Sequence, residues 1–371
     1  MGKRLRRVGA VAIAAAVTAS ACVAEAPASS RDAEVAKMVR YVERKRGREF
    51  LTPPVVSFVP EQEFVARVHE MVDDTTATLQ VDEAAFKALG WMPEADALVD
   101  KYRIAFGNGV MGFYDPITEE LAVRGDKLTP YRREVVVHEL THALDDQHFG
   151  LDEEHGEGII DSRQLAFLVA VEGDAAAAQR SWSQYRGPIE ASASLLEQLS
   201  MPVSAELLGV PIALLSLAQA PYLQGPRFIR ALDGEIDAMF SAFPVSEEQA
   251  WFPDRYLLGD QPQDVPDPIA GGVEIRRGEF GVFLLTLLIQ RGISLDAAVN
   301  SATSGWSGGE YVTWDGGGSR RCLTATVRMD TEEQAAGLRA ALSGWAASAP
   351  SATLSALGAD TEIESCSSAG G

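Results

Sequence analysis

The sequence predicts an α+β fold: a mainly helical body with a small β-hairpin ahead of its central helix, followed by a C-terminal β-β-α-β unit. Three observations carry this. From Asp32 onward, apolar residues recur at helical spacing in segment after segment. One stretch, Gly109 to Arg124, places β-prone runs on either side of Asp115-Pro116-Ile117-Thr118. After Gly305 the texture turns to strand-like runs, with Gly316-Gly317-Gly318 marking a turn.

The first 21 residues read differently from the rest. Lys3, Arg4, Arg6 and Arg7 form a basic start, Val8 to Val17 is apolar but too short to span a bilayer, and Ala19-Ser20-Ala21 offers a small-residue cleavage site. That is the pattern of an export signal. Cleavage there would leave Cys22 first, and Ala19-Ser20-Ala21-Cys22 resembles the lipobox of bacterial lipoproteins, with Ala19 where that pattern prefers Leu. A plain cut after Ala21 or Ala26 is the alternative. Residues 22–31, rich in Ala, Ser and Pro, read as a flexible tether to a domain over 32–304.

In that domain, Val35, Met38, Val39 and Val42 share a helical face, and Gly47 stops the helix. Val55 to Val59 is β-prone, Pro60 opens a helix through Phe64, Val68 and Met71, and another helix runs from about Val81 to Leu89. The hairpin follows. Its second arm, Glu120 to Arg124, precedes the most informative stretch, Thr129 to Gly150, where Thr129 can cap, Pro130 suits the first turn and Gly150 ends the helix.

This helix carries His138-Glu139-Leu140-Thr141-His142, an HExxH motif. Residues four apart leave the same face of a helix one turn from each other, so both imidazoles can reach one zinc ion. Glu139 beside them suits a general base. After an acidic loop, Asp161 and Gln164 form a capping box for a helix whose apolar stripe of Leu165, Leu168, Val169 and Ala176 also contains Glu172. A carboxylate there costs several kcal/mol unless paired or bound to metal. Glu172 is therefore the expected third ligand, completing a His-His-Glu site for one Zn²⁺ per chain. Gly173 and the alanines after it allow another helix to approach closely. Asp145 and Asp146 could orient a His ring, although solvated charge at the helix end is the plainer reading. Tyr222, Tyr256, Tyr311, His148 and His155 could each stabilise an oxyanion, and spacing selects none of them.

Downstream, Ser194 to Phe243 reads as helix broken at Pro202, Pro211 and Pro226. Ser246 and Gln249 form a capping box, Trp251 to Pro268 a loop, and Glu279 to Ile289 a buried apolar helix. The C-terminal unit, 305–371, takes strands at Tyr311 to Trp314 and Cys322 to Met329, a helix over Glu332 to Ala347, and a last run to Cys366. Three cysteines are an odd count for an exported chain; with lipid on Cys22, Cys322 and Cys366 remain to form a disulfide.

With HELTH and VEGDA in place, the chain resembles the gluzincin type of zinc metallopeptidase. It is similar, more closely, to a family of largely uncharacterised exported bacterial and archaeal HExxH proteins. The shared segments are GFYDPITEELAV, HELTHALDDQHF, VEGDA, PYLQGPRFI, PVSEEQAWFPDRY, GEFG and GWSGGEY, spread over residues 40 to 315. One departure is Phe252, where that family often has His. The resemblance implies a zincin-like domain that hydrolyses peptide bonds of envelope or extracellular proteins, with Glu139 as base. It also implies a strand ahead of the active-site helix, here Glu120 to Arg124, that pairs with extended substrate, with a purely structural hairpin as the alternative. A formal charge of −21, four units more negative without the leader's cations, excludes nucleic acid as a natural partner and leaves a lipid on Cys22 as the only membrane contact. The alternative is a non-catalytic envelope lipoprotein whose zinc is structural or vestigial and which binds a partner.

Overall fold

The computed structural model describes residues 30–151, 158–202, 204–290, 297–349 and 351–368. The expected export signal, Cys22, most of the tether and His155 lie outside them. Among the described residues, no helix is long and apolar enough to cross a membrane.

Helix α1 (Ser30–Arg46) takes the tether's last two residues into its first turn, and Gly47 ends it at φ 67°. Then come β1 (Val56–Val59), α2 (Glu61–Asp74), α3 (Thr76–Ala88), α4 (Leu98–Gly109), β2 (Gly112–Asp115) and β3 (Glu120–Arg124). The strands form a three-stranded sheet ordered β1-β3-β2, in which β3 pairs parallel with β1 and antiparallel with β2. The hairpin is as expected, but its second arm is the central strand. With both edges of β3 occupied, extended substrate cannot add there; β1 and β2 are the edge strands.

Helix α5 (Pro130–Phe149) is capped as its sequence implies. The Thr129 side chain accepts from Arg132 N–H, and Gly150 ends the helix at φ 73°. Helix α6 (Ser162–Arg186) is capped by Asp161, which accepts from the backbone N–H groups of Arg163 and Gln164. Next are α7 (Pro188–Leu199), a short 3-10 turn at Ala205–Gly209 and α8 (Ile212–Ala231). Pro226 does not break α8, which also contains Pro221. An interior proline costs about 3 kcal/mol; both of these are buried along a helix packed closely on α6, and that packing outweighs the cost.

Helices α9 (Ile236–Ser241), α10 (Glu247–Trp251) and α11 (Pro253–Leu257) follow, the last placed within the segment expected as loop. Strand β4 (Val273–Glu279) takes Glu279 away from the expected apolar helix, which is α12 (Val282–Gln290). After α13 (Ala297–Thr303) come β5 (Trp306–Asp315), β6 (Arg321–Met329), α14 (Glu332–Ser348), β7 (Thr353–Leu357) and β8 (Asp360–Cys366). The expected last strand is thus a hairpin, and the antiparallel sheet runs β4-β5-β6-β8-β7. Its first strand lies upstream of position 305. One apolar core joins residues of α3, α4, α8 and α12 to residues of β5, β6 and α14, so the C-terminal unit packs on the helical body. The disulfide Cys322–Cys366 joins β6 to β8 at directly opposed positions.

Candidate metal centre

Helices α5 and α6 bring His138, His142 and Glu172 together, with one potential ligand atom from each inside a span of 4.8 Å. His138 Nε2 is 3.0 Å from Glu172 Oε2 and 3.1 Å from His142 Nε2; His142 Nε2 is 3.5 Å from the same carboxylate oxygen. The rings meet edge to face, and both histidines are buried. An imidazole nitrogen carries either one proton or one lone pair, so His138 Nε2 cannot satisfy both neighbours by donating. Donors 2.0–2.1 Å from a tetrahedral ion stand about 3.3 Å apart, close to all three separations here. The group fits a small four-coordinate cation.

Burial pushes the Glu172 carboxyl up, but the His142 and His138 rings beside it more than reverse this and hold it below the usual range. His138 Nδ1 is buried without a hydrogen-bond partner. Neither aspartate after His142 serves the rings. Asp145 bonds to Arg46, and Asp146 accepts from the Tyr114 hydroxyl and the Leu151 N–H. Asp145 is 1% exposed, contrary to the expectation of solvated charge.

Glu139 lines one cavity with both histidines and a second with His138, but is not among the three converging donors. Burial raises its carboxyl to about 7, against the pull of the His138 ring and of a hydrogen bond from the Tyr114 backbone N–H. The edge strand β2 reaches this near because residue 112 is glycine. A Cβ there would stand 2.5 Å from Val135 Cγ1 and 3.0 Å from Glu139 Oε1.

Of the candidate oxyanion donors, Tyr222 is the one at the centre. Its ring stacks on His138 at 5.9 Å, and its hydroxyl bonds to Glu172. Tyr256 donates to the Ala242 carbonyl, Tyr311 is buried against Phe280, and His148 meets the Glu49 carbonyl at the far end of α5. Phe252 packs on the apolar core. Sequence reasoning missed Tyr114, Gly112 and Phe106, which lines every cavity around the centre. Gly109 and Gly112 bracketing a turn into a strand were the available signal for the close approach of backbone there.

No family model, curated protein or solved structure matches the chain.

Proposed function

We propose that the chain is a zinc-dependent peptidase of gluzincin type, exported to the cell envelope, that hydrolyses peptide bonds of proteins or peptides. The observation that carries this reading is the placement of Glu139: a buried carboxylate on the ligand-bearing helix, held by Tyr114 N–H and kept apart from the ligand atoms. A purely structural site would have no use for it. Two imidazoles and one carboxylate are a common donor set for catalytic zinc, with one position left open.

Bound zinc supplies Lewis acidity, acidifying water and polarising the scissile carbonyl. His138, His142 and Glu172 would hold the ion. The Glu139 carboxylate takes the proton of the attacking water and delivers it to the leaving amine. The Tyr222 hydroxyl donates to the carbonyl oxygen as charge develops there. Phe106 and Tyr222 line the cavities on either side of the centre. Export is supported by the leader sequence and by the Cys322–Cys366 disulfide, which persists in an oxidising compartment; a lipid on Cys22 would tether the protein to the membrane.

The test is metal content and peptide hydrolysis of the purified chain beside Glu139→Gln and Glu172→Ala. One zinc per chain, hydrolysis lost in Glu139→Gln with metal kept, and metal lost in Glu172→Ala are expected. A metal-free wild type under zinc-replete conditions would overturn the reading, and zinc retained by Glu172→Ala would remove that ligand.

A further inference from the structure

A cavity of about 740 Å³ opens beside the centre among α3, α4, α6 and α8. Its walls are Leu165 and Leu168 of α6, Leu214 and Leu217 of α8, and Phe106 of α4. Phe106, Leu168, Glu172 and Tyr222 also line the cavity that holds His138, Glu139 and His142, so the two spaces form one cleft. Protein interiors are close-packed, with few voids much larger than a water molecule. A leucine-lined space of this size, within the roughly 300–1,000 Å³ of ligand sites, is shaped for an occupant.

The chemistry of the walls defines that occupant. Among the described residues of the lining, the charged side chains are Glu172 and Arg276, and the Arg276 guanidinium is bound by Asp82 at 2.7 Å. Gly158 makes room for this pair: a Cβ there would stand 2.1 Å from Arg276 Nη1 and 2.4 Å from Asp82 Oδ2. The described walls are therefore not built to receive a charge. An ionic group entering it would lose water and gain no free counter-charge.

We propose that this chamber receives a bulky apolar side chain of the substrate, so that the protein selects peptides with an aromatic or long aliphatic residue beside the scissile bond. The inference rests on the peptidase reading for the word scissile, and on the cavity for the selection. Thr78 of α3 faces the chamber but lines neither cavity that contains His138 and Glu139. A larger residue at 78 fills the space from the side away from those two residues, whereas Leu217→Ala enlarges it.

The experiment digests blocked peptides that differ at one residue, Phe, Leu, Trp, Ala or Glu, with the full chain. Binding of the Phe and Ala peptides to zinc-loaded Glu139→Gln is measured in parallel by calorimetry. The Phe and Leu peptides should exceed the Ala peptide about a hundred-fold or more in kcat/KM, since each methylene in such a pocket is worth about ten-fold or more. Thr78→Phe should lower the Phe-to-Ala ratio at least ten-fold, and Leu217→Ala should raise the Trp-to-Phe ratio. Hydrolysis with no apolar preference, or ratios unmoved in both variants, overturns the chamber's role and leaves the peptidase standing. Selective binding of Phe peptides to Glu139→Gln without hydrolysis by the wild type does the reverse. Neither binding nor hydrolysis overturns both.

Discussion

Gly173 of α6 and Gly225 of α8 meet backbone to backbone. A Cβ on Gly173 would stand 2.6 Å from Gly225 Cα, and one on Gly225 would stand 2.4 Å from Gly173 Cα. Because the obstacle is main chain on both sides, no rotamer can yield. The crossing sets the distance between the helix that carries Glu172 and the helix that carries Tyr222. Gly225→Ala should force them apart at a cost of about 1–3 kcal/mol, from which alanine's better helix propensity returns about 1 kcal/mol. A net drop in unfolding free energy, with weaker metal retention against a chelator, is the expected result; unchanged stability would show that the crossing can relax.

Cys322 and Cys366 enclose a segment with a sequence separation of 44, joining β6 to β8 in the interior of the second sheet. Closing a loop of that length stabilises by about 4 kcal/mol through the unfolded chain. Reduction, or the Cys322→Ser and Cys366→Ser pair, should lower the melting temperature by several degrees. A melting curve indifferent to reductant would contradict this.

The centre was legible because its determinants are local. HExxH on one helix fixes two candidate ligands by period, and Glu172 betrays itself as the single charge in an apolar stripe. The helix-side predictions held for the same reason: Thr129, Asp161 and Gly150 act within one turn of where they stand. What stayed hidden is non-local. The parallel pairing of β1 with β3 is written in no periodicity, so the arm Glu120 to Arg124 read as a free edge. Strand β4, with Glu274, Arg276, Arg277 and Glu279 in seven residues, lies at the edge of its sheet with none of the seven fully buried, and its composition resembles loop. Arg46 is the same case in a single residue: cations ending a helix are ordinarily solvated, and only the folding of α5 and α6 around this one buries it.

Asp82 makes stability depend on pH in a direction opposite to that of an ordinary paired carboxylate. Burial pushes its carboxyl up to about 6, against the pull of Arg276 and of the Ile159 N–H, while Asp161 adds to the rise. Tyr311 also faces it. Between the ordinary value of 3.8 and about 6 the folded chain keeps a proton that the unfolded chain has released. The group's contribution is therefore greatest below that window and falls by about 3 kcal/mol as pH rises through it. Glu279 and Glu248, raised by burial to about 7 and about 8, act in the same sense at higher pH. Urea unfolding from pH 4 to 7 should show the wild type losing ground to Asp82→Asn as pH increases. A difference that stays flat across the range would refute the assignment.

Arg46 joins α5 and α6, the helices that carry the three candidate ligands, from beneath. Its guanidinium lies 2.8 Å from Asp145 Oδ1 on α5 and 3.1 Å from Asp174 Oδ2 on α6, and all three side chains are at most 5% exposed. Asp145 follows His142 by three residues and Asp174 follows Glu172 by two, so the clamp bears on the segments that aim both candidate ligands. Removing the cation strands two buried carboxylates, at a cost of about 3–5 kcal/mol. Arg46→Met should lose about that much at neutral pH and recover part of it in acid, where the Asp145 carboxyl, pushed up by burial, takes up a proton. Arg46→Lys keeps the charge without the planar fork and should fall between. Chelator competition on the folded variants should show metal affinity dropping in the same order. If Arg46→Met unfolds within about 0.5 kcal/mol of the wild type, the network is solvated in solution and the clamp is not what holds the ligands in register.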